Sequence, residues 1–178
     1  MSKRKRSGWL TVLPLLVAAG CIVTSGQILV TADLGDFVVT PATVERINVD
    51  LNDISDYTDN KEKLKDLADI AVLGEVTNTG SDPIDVVAYM TREPTTFTTA
   101  SQVMASGLQI WGPFRVAAGA TVRIDWNASA ALIGTNKNVL IEEVKGDGRF
   151  TGYVLGAAGT YSFTVTDGQL ALILDVGY

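Results

Sequence analysis

Three groups of residues in this chain are of types that could do chemistry. Asp50, Asn52, Asp53, Asp56 and Asp59 crowd into one short stretch, and carboxylates with amides at that density could wrap a calcium ion, which takes roughly six to eight oxygen ligands. Their spacing departs from the alternating D-x-D-x-D-G loop and lacks its sharp-turn glycine, so a solvated loop whose Asx residues cap turns is the competing reading. Trp111, Phe114 and Trp126 offer flat apolar faces on which sugar rings stack, although such residues also fill sandwich cores. Glu142 and Glu143 are adjacent. On a helix adjacent side chains diverge by about 100°, a poor arrangement for a glycosidase pair whose carboxyls must converge at about 5 to 9.5 Å.

The chain has no histidine and one cysteine, Cys21. That removes the Ser-His-Asp and Cys-His arrangements and the usual general base at neutral pH. Ordinary zinc, haem and iron–sulfur sites go with them, leaving carboxylate hydrolysis and Ser/Lys chemistry open. Asn127-Ala128-Ser129 has the form of an N-glycosylation acceptor.

Cys21 closes a distinctive leader. The basic cluster Lys3-Arg4-Lys5-Arg6 precedes an apolar run from Trp9, which ends in the small residues Ala18-Ala19-Gly20; this is the order of a secretory signal. A membrane-spanning helix needs roughly 20 apolar residues, and this run is interrupted by Pro14 and Gly20 and gives way to Thr24-Ser25-Gly26-Gln27. The stretch Leu15-Leu16-Val17-Ala18-Ala19-Gly20-Cys21 resembles the lipobox of bacterial lipoproteins. The resemblance implies that residues 1–20 are a signal peptide that is removed, and that Cys21 becomes the N-terminus, lipidated at sulfur. Ala18 stands where leucine is usual in the family. Ile22, in place of the aspartate of inner-membrane retention, favours the outer membrane where the host has two. Stable attachment takes at least two hydrophobic signals, for instance two palmitate-length acyl chains. A plain cleaved signal, leaving Cys21 as a thiol, and an uncleaved anchor are the alternatives.

The 178 residues carry 14 Lys and Arg against 20 Asp and Glu, a formal net charge of −6. Loss of the basic leader would make the remainder more acidic still. Such a surface repels phosphate backbones, so nucleic acid is not an expected partner, and membrane association must come from lipid on Cys21. After a short tether over residues 21–26, residues 27–178 suit a single domain with its own core.

Runs of β-branched and apolar residues predict most of the elements. Gln27–Thr31, Asp36–Thr40 and Val44–Leu51 read as three strands, the last with a bulge or a late start. Asp59 as N-cap and Glu62 at N3 predict a short helix with Leu64, Leu67 and Ala68 on one face. Residues 69–77 and 83–91 read as a hairpin around the turn-rich segment 78–82. In the second run Ile84, Val86, Ala88 and Met90 should face the core. This block, Asn78-x-Gly80-x-x-Pro83-Ile84 followed by Val87-x-Tyr89, is similar to the water-stress and hypersensitive-response (LEA14-like) domain, which implies a β-sandwich and transfers no catalytic residue.

Arg92–Ser106 is Thr- and Ser-rich and reads as a long loop, functional or mobile. Strands follow over Leu108–Phe114 and Thr121–Asn127. Short helices are expected over residues 128–133, capped by Asn127, and 138–145, stopped by Gly146. Arg149–Leu155, Thr160–Thr166 and Gln169–Val176 read as strands, the last two as a hairpin turning at Asp167-Gly168.

Short strands with turns between them and a few brief helices predict a single antiparallel β-sandwich of immunoglobulin-like or Greek-key character. The function expected is non-enzymatic: a lipid-anchored cell-envelope component that binds, assembles with or structurally supports another envelope protein, through exposed sheet edges or the segment Thr95–Ser106. A glycan- or peptide-binding module is the alternative, with a carboxylate hydrolase behind it.

Overall fold

A computed structural model describes residues 25–42, 44–92 and 95–177; the leader and Cys21 lie outside them. Eight strands form, β1 (Ser25–Val39), β2 (Glu45–Asp50), β3 (Leu64–Asn78), β4 (Ile84–Arg92), β5 (Leu108–Val116), β6 (Thr121–Ile124), β7 (Arg149–Gly156) and β8 (Phe163–Gly177), with four short helices, α1 (Ser55–Thr58), α2 (Ala100–Ser106), α3 (Trp126–Ala130) and α4 (Lys137–Lys145). The strands make two antiparallel four-stranded sheets, ordered β1-β8-β3-β6 and β2-β7-β4-β5. Only the β4–β5 connection joins neighbours within a sheet; every other one crosses between sheets. That winding of the expected sandwich is the jelly roll, two Greek keys on eight strands.

The core lies between the sheets. Val30, Ile70, Val76, Val86, Met90, Phe163, Leu172 and Leu174 are closed in it. As expected, Ile84, Val86, Ala88 and Met90 all point inward, because alternate strand residues share a face. A second, smaller cluster of Val87, Val103, Tyr153 and Leu155 sits on the outer face of β4 and β7, covered by Phe97 and Ala100. The Thr-rich segment is therefore ordered around α2, with a capping box in which Thr99 accepts from the Gln102 amide and the Gln102 side chain accepts in return. The Thr99-x-x-Gln102 spacing is the sequence signal for that helix.

Three further expectations are corrected. Residues 64–68 belong to β3 and not to a helix. Register shifts after Leu64 and after Leu67 insert an extra residue each time, so Leu64, Leu67 and Ile70, three apart, all turn to the core. Two bulges thus imitate helical spacing. At each bulge an aspartate caps the next amide: Asp66 Oδ1 accepts from Leu67 N at 2.8 Å and Asp69 Oδ1 from Ile70 N at 2.9 Å.

The predicted hairpin of residues 69–91 is an arch between sheets, since β3 pairs with β8 and β6 while β4 pairs with β5 and β7. Buried Asn78 builds the arch. Its Nδ2 donates to the carbonyls of Asp82 (2.8 Å), Val116 (3.3 Å) and Ala117 (3.1 Å), and its Oδ1 accepts from Gly80 N (2.9 Å).

Asp167-Gly168 is likewise not a hairpin turn but a bulge inside the continuous strand β8. Asp167 takes φ 52°, the left-handed conformation that the Asp-Gly pair permits, yet the chain continues forward. It does so because β1 and β3 are irregular at the same level: Gly168 pairs with Gly35 (φ 74°), and β3 shifts register at Gly74 (φ 143°). A Cβ at Gly74 would stand 3.0 Å from the Thr166 carbonyl oxygen. By the same device, the first two predicted strands are one strand, β1, bulged at Gly35.

Elsewhere the reading stands. Strand β2 starts late, at Glu45, leaving Val44 to pack in the outer cluster. Helix α4 stops at Gly146. Helix α3 starts two residues earlier than expected, at Trp126, with Asp125 as its N-cap accepting from Ala128 N.

Candidate functional site

The acidic stretch folds as a 3-10 turn (Leu51–Asp53) followed by α1, and the side-chain oxygens of Asp50 and Asn52 are engaged by the chain's own donors. Asp50 Oδ1 accepts from Asn52 N (3.0 Å) and Asn52 Nδ2 (2.7 Å), and Asp50 Oδ2 accepts from Arg149 Nε (2.8 Å). The Asn52 side-chain bond holds the Asp50 carboxyl below its ordinary range, with Arg149 adding to the effect and burial opposing it. Lys61 Nζ, the local cation, donates to Asn52 Oδ1 (2.9 Å) and to the Asp147 carbonyl (3.0 Å). Asp53 and Asp56 are exposed. Among the described residues no group of three or more His, Cys, Asp or Glu side chains is placed to hold a metal ion. Calcium at Asp50, Asn52, Asp53 and Asp56 thus has no assembled cage, because a lysine and an arginine already occupy the polar centre of the stretch.

The three aromatics are not brought onto one open face. Trp111 is 2% exposed; its Nε1 donates to Ser129 Oγ (3.0 Å) and its ring lies 5.8 Å from that of Phe114. Trp111 is therefore a core residue rather than a stacking platform. Trp126 is half-buried on α3, donating Nε1 to Asp69 Oδ2 at 2.9 Å. Glu142 and Glu143 meet, but on a cation: Arg92 pairs with both, at 3.2 Å from Nε to Glu143 Oε1. Burial raises the Glu143 carboxyl while Arg92 pulls it down.

Tyr57 anchors α1 beneath this region. Fully buried, it donates its hydroxyl to the Val144 carbonyl at 2.7 Å. Burial, with the nearby charges of Asp147 and Asp50, pushes its pKa up to about 12 from 10.0. A raised folded-state pKa means stability that is fully present below pH 10 and lost as pH climbs toward 12. Wild type should lose about 2 kcal/mol more than Tyr57→Phe between pH 9 and pH 12, read from urea midpoints across that range. Parallel curves for the two proteins would contradict the buried, neutral phenol.

Two surface features have the shape of an interaction site. One is an open groove of about 430 Å³ on the outer face of β2 and β7, lined by Arg46, Asn48, Asp50, Arg149 and Thr151 and walled by Thr96. The other is the edge of β1. Four strands are sheet edges, and proteins ordinarily blunt such edges with short length, charge, proline or cover. Strand β6 has four residues and carries Arg123; β2 has six, with Glu45, Arg46 and Asp50. Strand β5 contains Pro113 and Arg115, and its free edge is met by the segment after α3, where Gly112 N donates to Leu132 O and Gly134 N to Ile110 O. Beyond β6, Ser129 Oγ caps the edge of β3 by accepting from Val72 N at 2.6 Å. Strand β1 has none of these devices over its first eight residues. It runs for 15 residues with no Lys, Arg or Pro and only Asp33 and Asp36 charged, and among the described residues no backbone hydrogen bond satisfies its second edge. On its outer face Leu29 is 55% exposed and Val38 57%.

The fold and these surfaces define the chain as a jelly-roll sandwich with one long unguarded edge. No protein-family model matches it, and no curated protein does. Among solved structures it is similar to a chain from Desmodium yellow mottle tymovirus, at 15% identity and a TM-score of 0.26 over 100% of this chain and 98% of that one.

Proposed function

We propose that this protein is a lipid-anchored, non-enzymatic component of a cell envelope, held at the membrane through Cys21 and serving in assembly by pairing its β1 edge with a partner. The outer membrane is its place where the host has two. The observation that supports this reading is the contrast between β1 and the other edges: three are short, charged or covered, and the longest is left open. Main-chain pairing along such an edge is a general mode of β recognition. The engagement of Glu142 and Glu143 by Arg92 weighs against a carboxylate hydrolase, whose acid and base must be left to face substrate.

The polar groove favours a second reading, a module for glycan or peptide ligands bearing an acidic group, with the exposed Arg46 and Asn48 as its contacts.

In-cell crosslinking of the tagged full chain, followed by mass spectrometry of what co-purifies, separates the two. A discrete envelope protein recovered with wild type and lost with Cys21→Ser is expected. Recovery of no protein from either form would overturn the assembly reading and turn attention to the groove.

A further inference from the structure

We infer that the sheet β1-β8-β3-β6 carries, at its row of bulges, a cleft for a neutral oligosaccharide with Trp126 as its apolar wall. This goes beyond the pairing of the β1 edge and does not rest on it, because the cleft is built from side chains and leaves the edge backbone free. Its level is set where β3 shifts register at Gly74, β8 bulges at Asp167-Gly168, and β6 ends at Ile124 before the chain turns through Asp125 into α3. An open cleft of about 340 Å³ forms there, lined by Trp126 and Leu73 and by the polar residues Glu75, Arg123, Asp167 and Gln169. Asp167 and Gln169 also line a neighbouring cleft of about 480 Å³, with Thr31, Asp33 and Asp36 of β1. Polar ground thus extends across the sheet from α3 to β1, and each cleft falls within the roughly 300–1,000 Å³ of ordinary ligand sites.

The lining selects the ligand by charge and by bonding capacity. An anion is opposed by the carboxylates of Glu75, Asp125 and Asp167. A metal ion finds no cage, since among the described residues no group of three or more acidic side chains is placed to hold one, and Arg123 stands opposite Glu75 across β6 and β3. That same arginine opposes a basic peptide. What fits is an uncharged ligand whose groups both donate and accept hydrogen bonds: carboxylates accept from hydroxyls, a guanidinium donates to them, and the Gln169 amide does both. Among the described residues the side chains of Glu75, Arg123, Asp167 and Gln169 have no hydrogen bond or ion pair of their own, so this capacity is open to a ligand. Trp126 supplies the flat apolar surface on which the C–H face of a sugar ring rests. It is half-buried, and the bond from its Nε1 to Asp69 Oδ2 at 2.9 Å holds it in place before a ligand arrives, which lowers the ordering cost of binding. A single indole does here what a platform of three aromatics was expected to do.

The test is calorimetric titration of the purified full chain, in a detergent without a sugar headgroup, with the hexasaccharides of β-1,4-linked glucose and of β-1,4-linked N-acetylglucosamine, and with hexalysine. Submillimolar binding of at least one hexasaccharide is expected. Trp126→Ala should weaken it about tenfold or more, as loss of an aromatic anchor does, and Gln169→Ala several-fold. Arg46→Ala, in the groove on the other sheet, should leave it unchanged. Binding of neither sugar would overturn the proposal, as would tighter binding of hexalysine than of either sugar. Sugar binding lost with Arg46→Ala and kept with Trp126→Ala would also overturn it, and would place the ligand in the other groove. Should Trp126→Ala fail to fold, Gln169→Ala, exposed on β8, decides: binding that it leaves intact overturns the cleft. Failure here leaves the envelope-partner experiment to stand or fall by itself.

Discussion

Trp111→Ala should cost about 3–5 kcal/mol of folding stability, the range for removing a large aromatic from a packed interior. The indole is 2% exposed, and it joins the two sheets' contents: it sits on β5, packs against Phe114, and donates to Ser129 on α3. Ser129 in turn accepts from Val72 N on β3, so the substitution removes ring volume and loosens the group that caps the β3 edge. Trp126→Ala, half-buried with one bond to Asp69, should cost about 1–2 kcal/mol, since less area and a single exposed-side bond are lost. Urea unfolding followed by far-UV circular dichroism measures both. Near-equal small losses would return the tryptophans to the surface and with them the sugar-stacking reading.

The second large effect is expected at Asn78. Its amide donates to three carbonyl oxygens from two segments, Asp82 and the consecutive Val116 and Ala117, a role only an NH₂ group fills, because each of those partners is acceptor-only. Asn78→Asp places a carboxylate against them at a site with no exposure. It should destabilise by about 3–5 kcal/mol at neutral pH, as uncompensated buried charges do. Because the ionised form is disfavoured only in the folded state, that carboxyl has its pKa raised by folding. The penalty is smallest below the ordinary carboxylate range and grows as pH rises through the folded-state value. Asn78→Ala should cost about 2 kcal/mol with no such slope. Unfolding midpoints at several pH values distinguish the two; a flat pH profile for Asn78→Asp would contradict the geometry of the arch.

Asn78 also illustrates what the sequence carries. The turn-rich segment after it was legible, and so were the strands on either side, because composition and alternation report local backbone state. Which strand each one pairs with is decided by long-range contacts, here by Asn78 reaching the end of β5. Asp167-Gly168 shows the same limit: the pair does supply a left-handed residue, but Gly35 and Gly74 in the flanking strands convert a would-be turn into a bend of the whole sheet. The spacing of Leu64, Leu67 and Ile70 is ambiguous for a related reason, since two bulges turn a period of two into steps of three. The sandwich, the inward face of β4 and helix α4 were readable because burial and capping there are local.

For the candidate site, residue types were a weaker guide than residue surroundings. The acidic stretch is ligand-like by residue type, but Lys61 just beyond it and Arg149, distant in sequence, donate to its oxygens. Nothing in β1 marks it by residue chemistry. Its significance lies in what it lacks, and that is visible only once the sheet order makes it an edge.

The most direct test of the account places a photo-crosslinking amino acid at Thr31, exposed on β1, and compares it in cells with the same group at Thr121 on β6. A discrete protein adduct from Thr31, absent from Thr121 and dependent on Cys21, is the predicted result. Adducts of equal yield from both positions, or none from Thr31, would contradict the assignment of β1 as the docking edge.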